Sequence, residues 1–561
     1  MSDSRSLSFS GRFLVFFLVV LFARCESKSF AYVPHGSGDP VVRQVDDASE
    51  IPSDYVVKAV FDNQINETGW AFLEIVANEE AEHDDETKAT AAGIIEGVLT
   101  SDLIGMHFVN SMAGICLTRR ENCEKLLNHT IINGLWMNEN IDKLGDSDPF
   151  WYQVKLYKKQ LVGLASGYAS TGASGPISYG NMLTLNMWCD LEDLFYAMGE
   201  DQEAGTGHSS ALIKMLPDGS DVFVGLQTSD SYESMLRIQK KYVLKYKTMP
   251  NAETNIKGHT MSFSSYPGIL YSGDNFYITS ANLVIQETTI ENHNKDLWHL
   301  VSPTGQIMGF FRSMVANRLA ETGKNWIEIF KKYNSGTHNS QWMVVDYKKF
   351  SPETNLEPGF LWVLEQIPGT IKAQDMTSLL KDQGYWPSYS IAHFPDIFNK
   401  SGGPELVKKY GDWFTYDKNP RAQIFKRDQG KIRNMDGMYA MMRYNNFMHD
   451  PLSKCDCNPP YSAENAIASR NDLNKVNGTY PFKALGYRTE GAIDAKITNR
   501  DLATTFQFLS VSGPTHNASR GLPAFRWSEV KPSPHDYAPH IGHPDLWQFK
   551  PLTHTWELGS K

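Results

Sequence analysis

The chain reads as a layered α+β protein, with stacked sheets inside and helices outside, on three observations. Strand-like blocks alternate with pairs of helical segments along most of its length. At 561 residues, 41% hydrophobic and 21% charged, it can bury a large core. Two short apolar runs around Pro217-Asp218-Gly219 form a hairpin whose first strand carries hydroxyls at its head, Ser209 and Ser210, behind the glycine-rich lead-in Gly205-Thr-Gly207.

Taken in order, the first segment is Arg12 followed by the apolar run Phe13 to Ala23 and then Arg24-Cys25-Glu26. That is a signal-peptide core, too short to span a bilayer, so residues 1–25 are expected to be removed. Apolar runs at 55–60 and 70–76 predict an opening hairpin. Helical periodicity predicts a helix over 84–112, with Ala91, Ile94, Ile95, Val98 and Leu99 on one stripe, and another over 150–165. Residues 183–198 are apolar enough to pack internally. After the 209–228 hairpin come strands at 260–266, 276–279 and 283–290, separated by Pro267-Gly268 and Gly273-Asp274 turns. A helix over 310–334, strands at 341–347 and 359–366, and a helix over 437–448 complete the pattern. Arg237, Lys240 and Lys241 read as strand-end or helix-face charges.

A net charge of −11 without a long basic run argues against a nucleic-acid partner. Five sequons, at Asn66, Asn128, Asn399, Asn477 and Asn517, agree with a secretory route. Of six cysteines, Cys116 and Cys123 can close a small loop and Cys455 and Cys457 a tighter one. Cys189 reads as a buried apolar residue rather than a nucleophile. His535, His540, His543 and Asp545 lie close together, but Pro534, Pro539 and Pro544 prevent a helix from aligning them, so no metal site and no cofactor is expected.

A hydroxyl at the first residue of a strand, behind a loop that can be cut, suits an N-terminal nucleophile: the freed α-amine becomes the base for the side chain beside it. The competing reading, Gly207-His-Ser-Ser-Ala211 as a hydrolase elbow, requires a helix after the serine and a glycine at 211. The segment meets neither condition.

From Ser210-Ala-Leu-Ile-Lys-Met-Leu-Pro217 and Ser231-Tyr-Glu-Ser-Met-Leu-Arg-Ile238 onward, the sequence resembles the phospholipase B-like family, which includes the lamina ancestor proteins of insects. The likeness continues through Phe263-Ser-Ser-Tyr-Pro-Gly268, Ser272-Gly-Asp-Asn-Phe-Tyr277, Gln341-Trp-Met-Val-Val-Asp-Tyr347 and Tyr410-Gly-Asp-Trp-Phe414 to His540-Ile-Gly-His-Pro-Asp-Leu-Trp547. It implies an N-terminal nucleophile hydrolase fold of the αββα type and hydrolysis of acyl bonds in phospholipids or related lipids. It further implies secretion or delivery to the lysosomal lumen, and the sequence itself offers no second apolar segment long enough for a membrane span after the signal. The expected cut falls between His208 and Ser209, giving fragments 26–208 and 209–561 that stay associated.

The resemblance also assigns the site. Ser209 stands where the family has a cysteine nucleophile, and Leu226, Gln227 and Ser229 stand in a strand run that is His-Asn-Thr-Trp in the family. Ser390 occupies the position of an asparagine that polarises the substrate carbonyl, while Arg421 and Thr289 match the family pattern. These replacements raise an alternative, a family member that binds lipid or a partner without efficient turnover.

Overall fold

The computed structural model describes residues 28–36, 41–80, 83–117, 119–173, 177–205, 209–352, 355–530 and 539–559. The proposed signal segment, His208 and His535 lie outside them. An eleven-stranded sheet and a six-stranded sheet dominate the fold. Their faces are assigned by the period-two alternation of the strands. In Ser210–Met215, Ala211 and Ile213 join Val224, Phe276, Val284, Met343 and Val363 in one core between the sheets. Leu212, from the same strand, points the other way, to Ile424, Phe425, Met438 and Met442 of the helices Pro420–Asp428 and Met435–Met442. On the far face of the large sheet, Tyr277, Leu283, Ile285, Trp342 and Val344 pack with residues of the helices Asp85–Leu99, Pro149–Ser170 and Gly309–Leu319. The layers are therefore helix, sheet, sheet, helix.

The hairpin forms as its sequence predicts. Ser210–Met215 pairs antiparallel with Val222–Gln227, and Gly219 takes the positive φ (72°) that the turn needs. The opening pair, Val57–Gln64 and Trp70–Ala77, is antiparallel, and Trp70–Ala77 then joins Ile238–Val243 in parallel register.

Several expectations are corrected. The helix expected over 84–112 is two, Asp85–Leu99 and Ser101–Ser111, bent by 77° where the Thr100 hydroxyl bonds back to the Glu96 carbonyl (2.7 Å). The helix expected over 310–334 breaks into Gly309–Leu319 and Gly323–Phe330, because Ala320 is extended and Thr322 caps a new start. The helix expected over 437–448 is Met435–Met442. Arg120–Leu144 is a 25-residue helix in a segment the sequence left unassigned; only Leu126, Asn133 and Met137 are buried along it. Arg237, Lys240 and Lys241 are buried at or within Ile238–Val243, ion-paired to Asp274 and Asp494, to Glu96, and to Glu74 respectively. Among the described residues no single helix is long and apolar enough to cross a membrane.

The helices Asp85–Leu99 and Pro149–Ser170 cross at backbone contact. A Cβ on Gly163 would lie 2.1 Å from the Thr90 carbonyl oxygen, and one on Gly97 2.3 Å from that of Leu164. Cys116–Cys123 and Cys455–Cys457 are disulfides. All five sequon asparagines are exposed, as glycan attachment requires.

Candidate active site

The site lies where strand ends of both sheets meet. In the small sheet, Ser209 immediately precedes Ser210–Met215, Ser229 follows Val222–Gln227, and Ser390 follows Tyr385–Ser388. In the large sheet, Thr289 ends Leu283–Thr289, and His338 and Asn275 precede Ser340–Asp346 and Phe276–Thr279. Thr288 ties the two sheets together, its hydroxyl 2.6 Å from that of Ser388 and accepting the Ser390 N–H at 3.4 Å.

A cavity of about 570 Å³ opens at this end. Ser209, Ser229 and Thr289 line it, facing an apolar flank of Met112, Ile115, Trp188, Leu191 and Phe195. Its polar lining includes Arg119, ion-paired to Glu200 at 3.2 Å, and Asp193. Burial pushes the Asp193 carboxyl up to about 8, although the Asn339 backbone N–H bonded to it acts in the other direction.

Ser209 is held in an unusual conformation. Its φ is 81°, a left-handed value that costs a side-chain-bearing residue about 1–3 kcal/mol unless its surroundings impose it. The surroundings do so from two sides. Arg421 donates from Nη1 to the Ser209 carbonyl (2.7 Å) and from Nη2 to the Tyr389 carbonyl (2.7 Å), and the Ser229 N–H points at Ser209 Oγ (3.4 Å). Ser210, by contrast, is buried and spends its hydroxyl on the Ile467 carbonyl (2.9 Å).

The remaining sequence-assigned residues separate. Ser390 (φ 65°) and Arg421 line a second, smaller cavity with Gly205 and Trp413. Gln227 is buried and bonds Ser229 Oγ at 2.9 Å, so it reaches the large cavity only through Ser229. Leu226 does not line either cavity; it is buried in the core between the sheets. His540 stacks on Trp527, and Asp545 is spent on Ser528 and Arg526.

Behind the hairpin, Thr228 is fixed by a buried ion cluster. Lys496 donates to the Thr228 hydroxyl (2.6 Å) and to Asp494 (2.6 Å), Asp494 accepts the Thr228 N–H (2.9 Å), and Arg237 pairs with Asp494 and Asp274. The cluster joins the two sheets directly under Ser229.

Sequence reasoning missed a second group on the cavity wall: Cys189, Glu287 and His338. Cys189 lies in the first turn of Trp188–Ala197, packed against the main apolar core as expected and also lining the cavity. The available signal was arithmetic: two disulfides use four of the six cysteines, and with Cys25 in the expected signal segment Cys189 is the one left over, a candidate free thiol.

The Phospholipase B family profile matches residues 57–554. A Mus musculus protein named "Putative phospholipase B-like 2" is 45% identical over 521 residues, 90% of this chain and 86% of that protein. The Homo sapiens protein of the same name is 44% identical over 521 residues, with the same two coverages. "Phospholipase B-like protein B" of Dictyostelium discoideum is 36% identical over 516 residues, 88% of this chain and 84% of that protein. By a match that spans nearly all of the described fold, the chain belongs to the phospholipase B family.

Proposed function

We propose that the protein hydrolyses acyl ester bonds of phospholipids or related lipids, with Ser209 as an N-terminal nucleophile exposed by cleavage of the 208–209 peptide bond. The observation that carries this reading is the state of Ser209: at the head of a strand, in a left-handed conformation, its carbonyl clamped by Arg421 and the residue on the wall of the large cavity. The layering of two sheets between helices agrees with an N-terminal nucleophile hydrolase fold of the αββα type. Five exposed sequons and two disulfides support a secreted or lysosomal product.

The chemistry follows from the residues. In self-cleavage, Ser209 Oγ attacks the carbonyl carbon of residue 208, the C–N bond breaks, and the Ser209 nitrogen leaves as an amine; water then hydrolyses the ester. In turnover the freed α-amine takes the hydroxyl proton as Oγ attacks the lipid carbonyl. The leaving alcohol takes that proton, and water releases the fatty acid from the acyl-serine. The resemblance makes Ser390 the candidate oxyanion donor, although here it lines the smaller cavity beside Arg421 and not the one Ser209 lines, and Thr289 is a polar contact on the wall of the large cavity. The apolar flank from Met112 to Phe195 suits an acyl chain.

One observation favours a second reading, a family member that binds lipid without turnover. Among the described residues no titratable side chain hydrogen-bonds the Ser209 hydroxyl, and Leu226 supplies none where the family has a histidine. Denaturing gels of the secreted protein decide between the two. Hydrolysis requires fragments 26–208 and 209–561, the second beginning Ser-Ser-Ala-Leu, and Ser209→Ala must abolish both the cut and Ser209-dependent lipid hydrolysis. An intact chain after prolonged acidic incubation, without acyl hydrolysis, favours the binding reading. A Ser209→Cys chain that cuts when the natural one does not would assign the defect to the nucleophile alone.

A further inference from the structure

We propose that Cys189, His338 and Glu287 form a thiol nucleophile centre on the wall of the large cavity, able to take the acyl group of an ester into a thioester without Ser209.

The geometry sets the cysteine apart from a core residue. Its thiol donates to the Gly273 carbonyl at 3.2 Å, and the Asn275 amide nitrogen stands 3.6 Å from Sγ. The same amide nitrogen lies 2.8 Å from Glu287 Oε1 and 2.9 Å from His338 Nε2, and that ring nitrogen is 3.4 Å from Glu287 Oε1. Asn275 therefore gathers thiol, imidazole and carboxylate at one point. Both Asn275 (φ 55°) and His338 (φ 56°) are held in left-handed backbone, as is Ser209 on the same cavity. Glu287 and His338 are each more than nine-tenths buried and line the cavity, and Glu287 Oε2 and His338 Nδ1 have no hydrogen-bond partner among the described residues. An apolar environment for a structural cysteine requires none of these features.

The charges suit a nucleophile paired with an acid. Burial opposes the His338 imidazolium, but the Cys189 sulfur and Glu287 outweigh it and hold the ring's pKa well above its ordinary value. Burial raises the Cys189 thiol, while the His338 charge beside it pulls the other way. On balance the thiol stays raised and at rest keeps the proton it gives to the Gly273 carbonyl; the competent state, a thiolate beside an imidazolium whose second neighbour is a carboxylate, forms when that proton passes to the His338 ring. The acceptor step balances from that state. Sγ forms a bond to the acyl carbon, the ester C–O bond breaks, and the leaving alkoxide takes the imidazolium proton. Water then attacks the thioester, giving a proton to the imidazole as the C–S bond breaks, and the thiolate–imidazolium pair is restored.

The test uses the full-length secreted protein and p-nitrophenyl octanoate as the acyl probe, with acid quenching, proteolysis and mass analysis. The expected result is an octanoyl group on Cys189 in both the natural chain and Ser209→Ala, released by neutral hydroxylamine. His338→Gln should slow that acylation by about 100-fold or more, the scale of a positioned proton donor. It should also move the pH profile of Cys189 alkylation by iodoacetamide upward, because the neighbouring cation is gone. If His338→Gln does not fold, Glu287→Gln is measured instead and should move the profile the same way. A folded chain whose Cys189 carries no octanoyl group overturns the proposal, as does an unchanged alkylation profile in both variants. Octanoyl on Cys189 in a chain that is neither cut nor acylated at Ser209 would refute the Ser209 reading alone.

Discussion

Arg421 donates from Nη1 to the carbonyl oxygen of Ser209 at 2.7 Å, across 212 residues of sequence. The guanidinium is buried, and its other arm holds the Tyr389 carbonyl beside Ser390. One side chain thus fixes the backbone of the proposed nucleophile and of the proposed oxyanion donor.

Replacing Arg421 by Lys should therefore remove the fork while keeping the charge. One of the two carbonyls loses its partner, which costs about 1.5–3 kcal/mol for a charged hydrogen bond. Thermal melting should register that loss, and cleavage at 208–209 should slow on denaturing gels. A variant that melts and cuts like the natural chain would refute the clamp.

Lys496→Met should destabilise the protein by about 3–5 kcal/mol, because it leaves Asp494 and Asp274 buried with one cation fewer. The same change frees the Thr228 hydroxyl under the site. Chemical denaturation measures the first effect. The second should appear as slower acyl hydrolysis in conditions where the variant remains folded.

The Asp193 carboxyl titrates near 8 in the fold against about 3.8 unfolded. Because the folded value is the higher, its contribution is fully present below the unfolded value and is lost as pH rises through 8. Glu365, raised to about 7 by burial, acts in the same sense. His107 and His543, both lowered to about 3 by burial, act oppositely and only as pH falls below about 6.5. Lys214, lowered to about 8 by burial, also acts oppositely, in the alkaline range. Asp193→Asn, which keeps an acceptor for Asn339, should make the change in melting temperature between pH 7 and 8.5 more positive as pH rises than in the natural chain. Identical slopes would refute the assignment.

Gly163→Ala should destabilise by about 1–3 kcal/mol or more, since its Cβ would overlap the Thr90 carbonyl and force the two helices apart. Ala at Gly172, where nothing lies within 4 Å of the added Cβ but φ is positive (66°), serves as the comparison and carries only a backbone cost. Equal melting temperatures for Gly163→Ala and the natural chain would contradict the close crossing.

Local patterns made much of the architecture legible. The 209–228 hairpin was readable because Pro217-Asp218-Gly219 fixes the turn and the apolar runs have strand length. The helix Arg120–Leu144 was not, because so little of it is buried that its apolar stripe is thin. Arg237, Lys240 and Lys241 looked like surface charge because a sequence carries no record of the acids that pair with them from distant parts of the chain. The pattern offered Ser209 or Ser210 as the nucleophile, and resemblance chose Ser209 and named Arg421; their contact required coordinates. The Cys189, Glu287 and His338 group was invisible for the same reason, as its members come from a helix, a strand and a loop up to 149 residues apart.

The parallel pairing of Trp70–Ala77 with Ile238–Val243 has a kinetic meaning for any molecule cut at 208–209. The two strands lie on opposite sides of the cut, in the interior of one continuous sheet. The intact chain reaches this arrangement by a first-order search within one molecule. Once cut, the same arrangement could be regained only by a second-order encounter of two fragments with exposed strand edges, competing with aggregation. Cleavage would then act as a ratchet: a cut particle would elute as one species while folded, but its unfolding would be a one-way exit that dilution no longer reverses.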